Sequence, residues 1–197
     1  ALAWLRTQPG IDGARIALVG VGAGADVAVQ AGLAHLRDIA RARGRFLARV
    51  AQAPGCSLQW REVATDGSPL MIQAPGAGGI GATSHCEDWA RRLRQGDGAV
   101  EMRHYAGLAP VWEAPPFLDE AGHQTDRCLA LLDLDGSVTD RATGLRHTRD
   151  QIAGWIDGCR APGRRGGGGP ADQRDRAAAD LAQFLGSHGM LPLRAVP

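Results

Sequence analysis

The chain has 197 residues, 44 % of them apolar and 22 % charged, which suits one domain with its own core. Net charge is +1, so no overall pull toward nucleic acid or an acidic membrane acts on it. All 22 basic residues are arginine, which excludes a lysine Schiff base and a P-loop lysine, and no apolar run approaches the ~20 residues of a membrane helix.

In chain order, residues 1–8 read as the end of an amphipathic helix, closed by Pro9 and Gly10. The pattern is already under way at Ala1, so a fragment or processed chain is expected. A strand is predicted over 15–19, opened by Arg15 and closed by Val19. Its apolar core, Ile16 to Val19, has the length of a buried parallel strand. Gly20-Val21-Gly22-Ala23-Gly24 follows, then an alanine-rich helical pattern over 23–43 with small residues at Ala25, Ala28, Ala31 and Ala34. Strands are predicted over 46–53, 69–74 and 99–105, with a helix over 83–95 and a loop carrying Trp60 over 57–67. Strands alternating with helices imply a parallel α/β sheet.

The alternation stops after Tyr105. Residues 106–126 read as a loop, with Pro110, Pro115 and Pro116. A hairpin is predicted around Asp135-Gly136, then a helix over 148–159 with Thr148 and Gln151 as a capping box. Residues 161–170 hold four successive glycines and read as a flexible linker. A last amphipathic helix over 172–185 presents Ala178, Leu181, Phe184 and Leu185. Four cysteines (Cys56, Cys86, Cys128, Cys159) lack zinc-site spacing and allow three pairings. Buried free thiols are the expectation, with disulfides expected instead if the chain is exported.

Gly20 to Gly24 has the frame of a nucleophile elbow, G-x-S-x-G, with Gly22 where the serine should stand. The same glycines admit a dinucleotide reading, because Gly20, Gly22 and Ala25 give G-x-G-x-x-A. That reading lacks an acid at the end of the next strand, where Ala51-Gln52-Ala53 stands, so no cofactor is expected. A tight strand–helix turn with no ligand is the plainest reading.

Several segments, in order, resemble the dienelactone hydrolase family of α/β-hydrolases. They are Ile11 to Gly20 before the elbow, Pro54-Gly55-Cys56, Ser68 to Gln73, Val100 to Gly107, and Ala177 to Leu185 in the closing helix. The resemblance implies an incomplete α/β-hydrolase-like parallel sheet flanked by helices, with a C-terminal hairpin and helix extension. It divides the chain into 1–126 (C-terminal half of the hydrolase-like domain), 127–160 (hairpin–helix insertion), 161–170 (linker) and 171–197 (closing helix and tail). It also implies a triad of nucleophile, acid and histidine. The matching positions are Gly22, Gly78 (or Gly79 with a one-residue slip) and Pro110. None of these residues supports acyl transfer, which needs an activated nucleophile beside a base. The expectation is a catalytically inactive relative that binds or scaffolds, with a small ester or acid as ligand. A carboxylic ester or lactone hydrolase with a displaced or partner-supplied site is the alternative.

The weak substitutes are Cys86, better read as structural, and His104, better read as a strand residue. His123 with Asp119 or Glu120 reads as solvated loop, and Asp26 as a charge at a helix N-terminus. Arg91-Arg92-Leu93-Arg94 reads as a solvated helix face rather than a nucleic-acid contact. No metal-ligand spacing is present. Few residues precede Gly22, so the strand from Arg15 to Val19 is expected to form an open edge. A partner, a second copy or a preceding segment is expected to cover it.

Overall fold

The structure is a computed structural model; it describes residues 1–76, 80–110, 112, 119–124 and 128–190, with 80–82, 119–124 and 161–166 as backbone. A short helix α1 (Leu2–Leu5) leads to β1 (Leu18–Val21), α2 (Ala23–Gln30), α3 (Ala34–Ile39) and β2 (Arg49–Gln52). Next come β3 (Leu58–Trp60), β4 (Leu70–Pro75), α4 (Ile80–Gln95) and β5 (Val100–Tyr105). β1, β2, β4 and β5 form a parallel sheet in the order β1-β2-β4-β5. The central strands β2 and β4 are buried on both faces, which accounts for their apolar runs. Alternate residues serve opposite layers. Ala51 and Ile72 pack with Ala25, Ala28 and Val29 of α2 and with Trp89 and Leu93 of α4. Val50 and Met71 pack with Phe184 on the other side.

The predicted helix over 23–43 is two helices. Arg49, a buried cation in a central strand, explains the break. Its guanidinium donates to the carbonyls of Ala28 (3.0 Å) and Val29 (2.8 Å), and to Ser68 O (3.0 Å) and Oγ (2.8 Å). It occupies the place where a helix would continue, and a Cβ on Gly32 would lie 2.1 Å from its Cζ. Burial lowers the Arg49 pKa to about 10, which still leaves it charged at neutral pH.

A second sheet has the order β3-β7-β8-β9, with β7 (Ala130–Leu132), β8 (Val138–Asp140) and β9 (Arg146–His147). The turn at Asp135-Gly136 joins β7 and β8 as expected, with Gly136 at φ 81°. β3 lies in the segment predicted as loop and pairs in parallel with β7. α5 (Ile152–Cys159) starts later than predicted. Half of the capping box survives: Thr148 N–H donates to Gln151 Oε1 at 3.0 Å.

Two predictions fail between 106 and 170. Part of the predicted loop is β6 (Asp119–Gln124), and part of the predicted linker is β10 (Ala161–Gly166). The two pair antiparallel over six residues. Backbone hydrogen bonds need no apolar side chains, so this ladder left no apolar pattern to read. α6 (Ala171–Ser187) then packs beneath the parallel sheet. Its buried residues are Ala177 and Phe184, whereas Ala178 is exposed, one position off the predicted stripe. Among the described residues, no helix is long and apolar enough to cross a membrane.

All four cysteines are paired. Cys56–Cys86 ties the segment after β2 to α4, and Cys128–Cys159 ties the approach to β7 to the end of α5. The expectation of free thiols is therefore replaced by two disulfides.

Candidate functional site

The parallel strands all end on one side, where an open α/β sheet places its ligand crevice. Gly22 stands there, between β1 and α2. Its backbone has φ 56° and ψ −121°, outside the ordinary regions for an L-residue. Its N–H donates to Gln52 O (2.9 Å) and its carbonyl accepts from Ala25 N (2.9 Å), so the turn is held from both sides. This is a sharp, strained strand-to-helix turn of the kind that presents a nucleophile. A Cβ on Gly22 would meet nothing within 4 Å. The space for a side chain there is open.

The flanking glycines differ. A Cβ on Gly20 would fall 1.9 Å from Gly24 O, so Gly20 is required by close approach. A Cβ on Gly24 meets nothing, so Gly24 is not. At the end of β4, Gly76 donates to Tyr105 O (2.8 Å), and a Cβ there would lie 2.7 Å from both that oxygen and Ala106 Cα. Gly78 and Gly79 lie outside the described residues.

Pro110 is described, half-buried, in the turn beyond β5. β1 and β5 are the two edges of the sheet, with β2 and β4 between them. At about 4.8 Å per strand the edges are about 14 Å apart, so a residue on β5 itself cannot serve Gly22. His104 is such a residue. Its Nε2 lies 3.5 Å from Glu87 Oε1 of α4, both groups being substantially exposed. The structure thus removes His104 as a base for the elbow. It also removes Cys86 as a nucleophile, because its sulfur is bonded to Cys56. Asp119, Glu120 and His123 fall in β6 rather than a loop, and their side chains lie outside the description.

Asp26 sits in the first turn of α2 and accepts from Gly55 N at 2.9 Å. Burial raises its pKa, against the lowering effect of the Gly55 and Cys56 backbone N–H groups. Its carboxylate ties the elbow helix to the loop after β2. It also opposes a phosphate at this helix end, which weakens the dinucleotide reading. Among the described residues, no group of three or more His, Cys, Asp or Glu is placed to hold a metal.

Two features have no counterpart in the sequence reading. The first is a buried polar chain under the strand ends. Gln52 Nε2 donates to Gln73 Oε1 (2.8 Å), and Gln73 Nε2 donates to Tyr105 Oη (2.9 Å) and Ala177 O (2.8 Å). Tyr105 Oη donates to Asp180 Oδ2 (2.9 Å). Burial, then the bond to Asp180, raises the Tyr105 pKa well above the usual phenol value, so it stays a donor. The signal was available as glutamines inside apolar strands.

The second is a serine–histidine contact. Ser57 Oγ lies 3.3 Å from His85 Nδ1, beside the Cys56–Cys86 disulfide that brings their segments together. The pairing of residues 28 apart is invisible until that disulfide is known.

Two open clefts, of about 660 and 540 Å³, are lined by residues other than Gly22 and Pro110. Comparison with protein-family models, with curated proteins and with solved structures finds no match for this chain.

Proposed function

We propose that this chain is a dienelactone hydrolase-like α/β-hydrolase relative that has lost its catalytic triad and acts as a binding or scaffold subunit. The observation that carries the reading is Gly22: a held elbow at φ 56°, with open space above it and no nucleophile. Pro110, whose ring nitrogen is its own backbone amide and carries no proton to move or donate, stands at the histidine position of the resemblance. The ligand on this reading is a small ester, lactone or acid beside the vacant elbow.

A partner belongs to the same reading. β1 is an edge strand, and its pairing through Leu18 and Gly22 N–H leaves the backbone groups of Val19 and Val21 on the outer side. Both valines are partly exposed, and β1 carries no charge or proline to block pairing. Another strand, from a partner, a second copy or a preceding segment, completes the sheet there. Two disulfides fit an oxidising compartment.

The second reading, a hydrolase with a displaced site, rests on the Ser57–His85 contact. At 3.3 Å the pair is looser than a working nucleophile–base bond, although such bonds tighten when substrate binds. A serine-directed fluorophosphonate separates the two. The triad-loss reading expects the folded chain to remain unlabelled. An adduct on Ser57 would overturn it in favour of the hydrolase.

A further inference from the structure

The cleft of about 540 Å³ lies on the second sheet and takes no part in the reading above. Trp60 and Leu132 line it, together with Arg61, Glu62, Asp133, Asp135 and Arg146. We propose that this cleft binds a short neutral oligosaccharide.

Charge narrows the ligand first. Two arginines face three carboxylates, so an anionic ligand meets a net negative lining. Five ionised groups equally disfavour a purely apolar ligand, which would strip their water without replacing its hydrogen bonds. A polyhydroxylated neutral molecule suits both limits.

The polar groups are fixed in donor–acceptor pairs. Arg61 grips Asp133 twice, Nε to Oδ1 at 2.5 Å and Nη2 to Oδ2 at 3.1 Å, and also donates to Thr139 Oγ1 at 2.8 Å. Arg146 holds Asp135 and donates from Nε to Ser137 Oγ at 2.8 Å. A carboxylate has about four acceptor sites and a guanidinium five donors, so each pair keeps spare capacity of both kinds side by side. Adjacent sugar hydroxyls, each both donor and acceptor, match that spacing. Among the described residues Glu62 has no partner, which leaves its acceptors open to a ligand hydroxyl.

Trp60 supplies the platform. An aromatic face carries negative charge density and packs against the C–H face of a sugar ring. His35 meets the indole in an edge-on contact at 4.9 Å between ring centroids, and Arg92 donates to Trp60 O at 2.7 Å. The His35 contact orients the ring, and the Arg92 bond holds the main chain that carries it. Both disulfides secure the frame, Cys56–Cys86 just before β3 and Cys128–Cys159 just before β7. A preformed cleft of this volume loses little ordering entropy on binding.

The test is calorimetric titration of the disulfide-intact chain with maltotriose, cellotriose and chitotriose. Saturable binding of at least one is expected, and Trp60→Ala should abolish it. Trp60 also packs on the core, so exposed Asp135 gives the second variant: Asp135→Ala should weaken binding about tenfold with the circular dichroism unchanged. Absence of saturable binding by all three sugars would overturn the proposal. So would binding indifferent to both variants, or Asp135-dependent binding of an arginine-rich peptide in place of the sugars.

Discussion

In the parallel sheet, Val50, Ala51, Met71 and Ile72 are fully buried between helices. In the second sheet the buried apolar strand residues are Ala130 and Val138. The first sheet therefore holds itself by apolar packing, with Arg49 and the Gln52–Gln73–Tyr105–Asp180 chain satisfying its buried polar groups. The second depends on cross-links: the Cys128–Cys159 disulfide, the Arg61–Asp133 pair, and Asp88, which joins Arg91 of its own helix to Arg141 beyond β8, whereas Cys56–Cys86 lies within the core of the first. One chain thus carries a layer held mainly by apolar packing beside a layer held mainly by cross-links.

That contrast is breakable, and the strongest lever is the disulfide. Replacing Cys128 and Cys159 together by serine should destabilise the second sheet by about 3–4 kcal/mol, from the loop it closes. Hydrogen exchange should show β7 and β8 amides losing protection while β2 and β4 keep theirs. Equal loss in both sheets would mean that they form one cooperative unit.

Arg49→Met is the converse experiment. It leaves the carbonyls of Ala28, Val29 and Ser68 short of a buried donor and should cost about 3 kcal/mol. Urea unfolding followed on the parallel sheet would register it, and an unchanged midpoint would remove Arg49 from the account.

Tyr105→Phe sharpens the picture of the polar chain. Gln73 keeps its bond to Ala177 O, so the loss is the hydroxyl's bonds from Gln73 and to Asp180 and should be about 1–2 kcal/mol.

Gly22→Ser tests whether the β1–α2 turn tolerates a side chain. Its Cβ enters open space and only the positive φ is unfavourable, so about 1 kcal/mol is expected. Gly20→Ala, which must displace Gly24 O, should cost more.

The smallest effect belongs to Asp26. Its folded pKa is raised by burial, so the native state binds the proton more tightly than the unfolded state does. Stability from this group is therefore lost as pH rises from the unfolded value through the folded one. Asp26→Asn should stabilise the chain slightly at neutral pH. The difference should vanish in acid, where both states of the natural chain are protonated; thermal melts at two pH values read it.

The parallel sheet was legible because burial on both faces forces apolar runs such as Val50-Ala51 and Leu70-Met71-Ile72. The tight turn between β1 and α2 was legible because Gly20 has a steric reason to be glycine. The Asp135-Gly136 turn announced itself by a residue that needs φ above zero. Other features leave no local trace. β6 and β10 are held by backbone bonds among Gly, Pro and charged residues, so nothing in their composition says strand. The break between α2 and α3 is imposed by Arg49, which lies downstream of both. The Ser57–His85 contact depends on a cysteine pairing that four cysteines alone leave threefold ambiguous.

On the proposed reading, the turn at Gly22 is a held elbow without chemistry. Hydrolysis of a short-chain chromogenic ester, by the natural chain and by a Gly22→Ser, Gly78→Asp, Pro110→His variant, tests it most directly. An inert natural chain and a variant that gains turnover are expected. Turnover by the natural chain that Ser57→Ala abolishes would contradict it and move the active site to the Ser57–His85 pair.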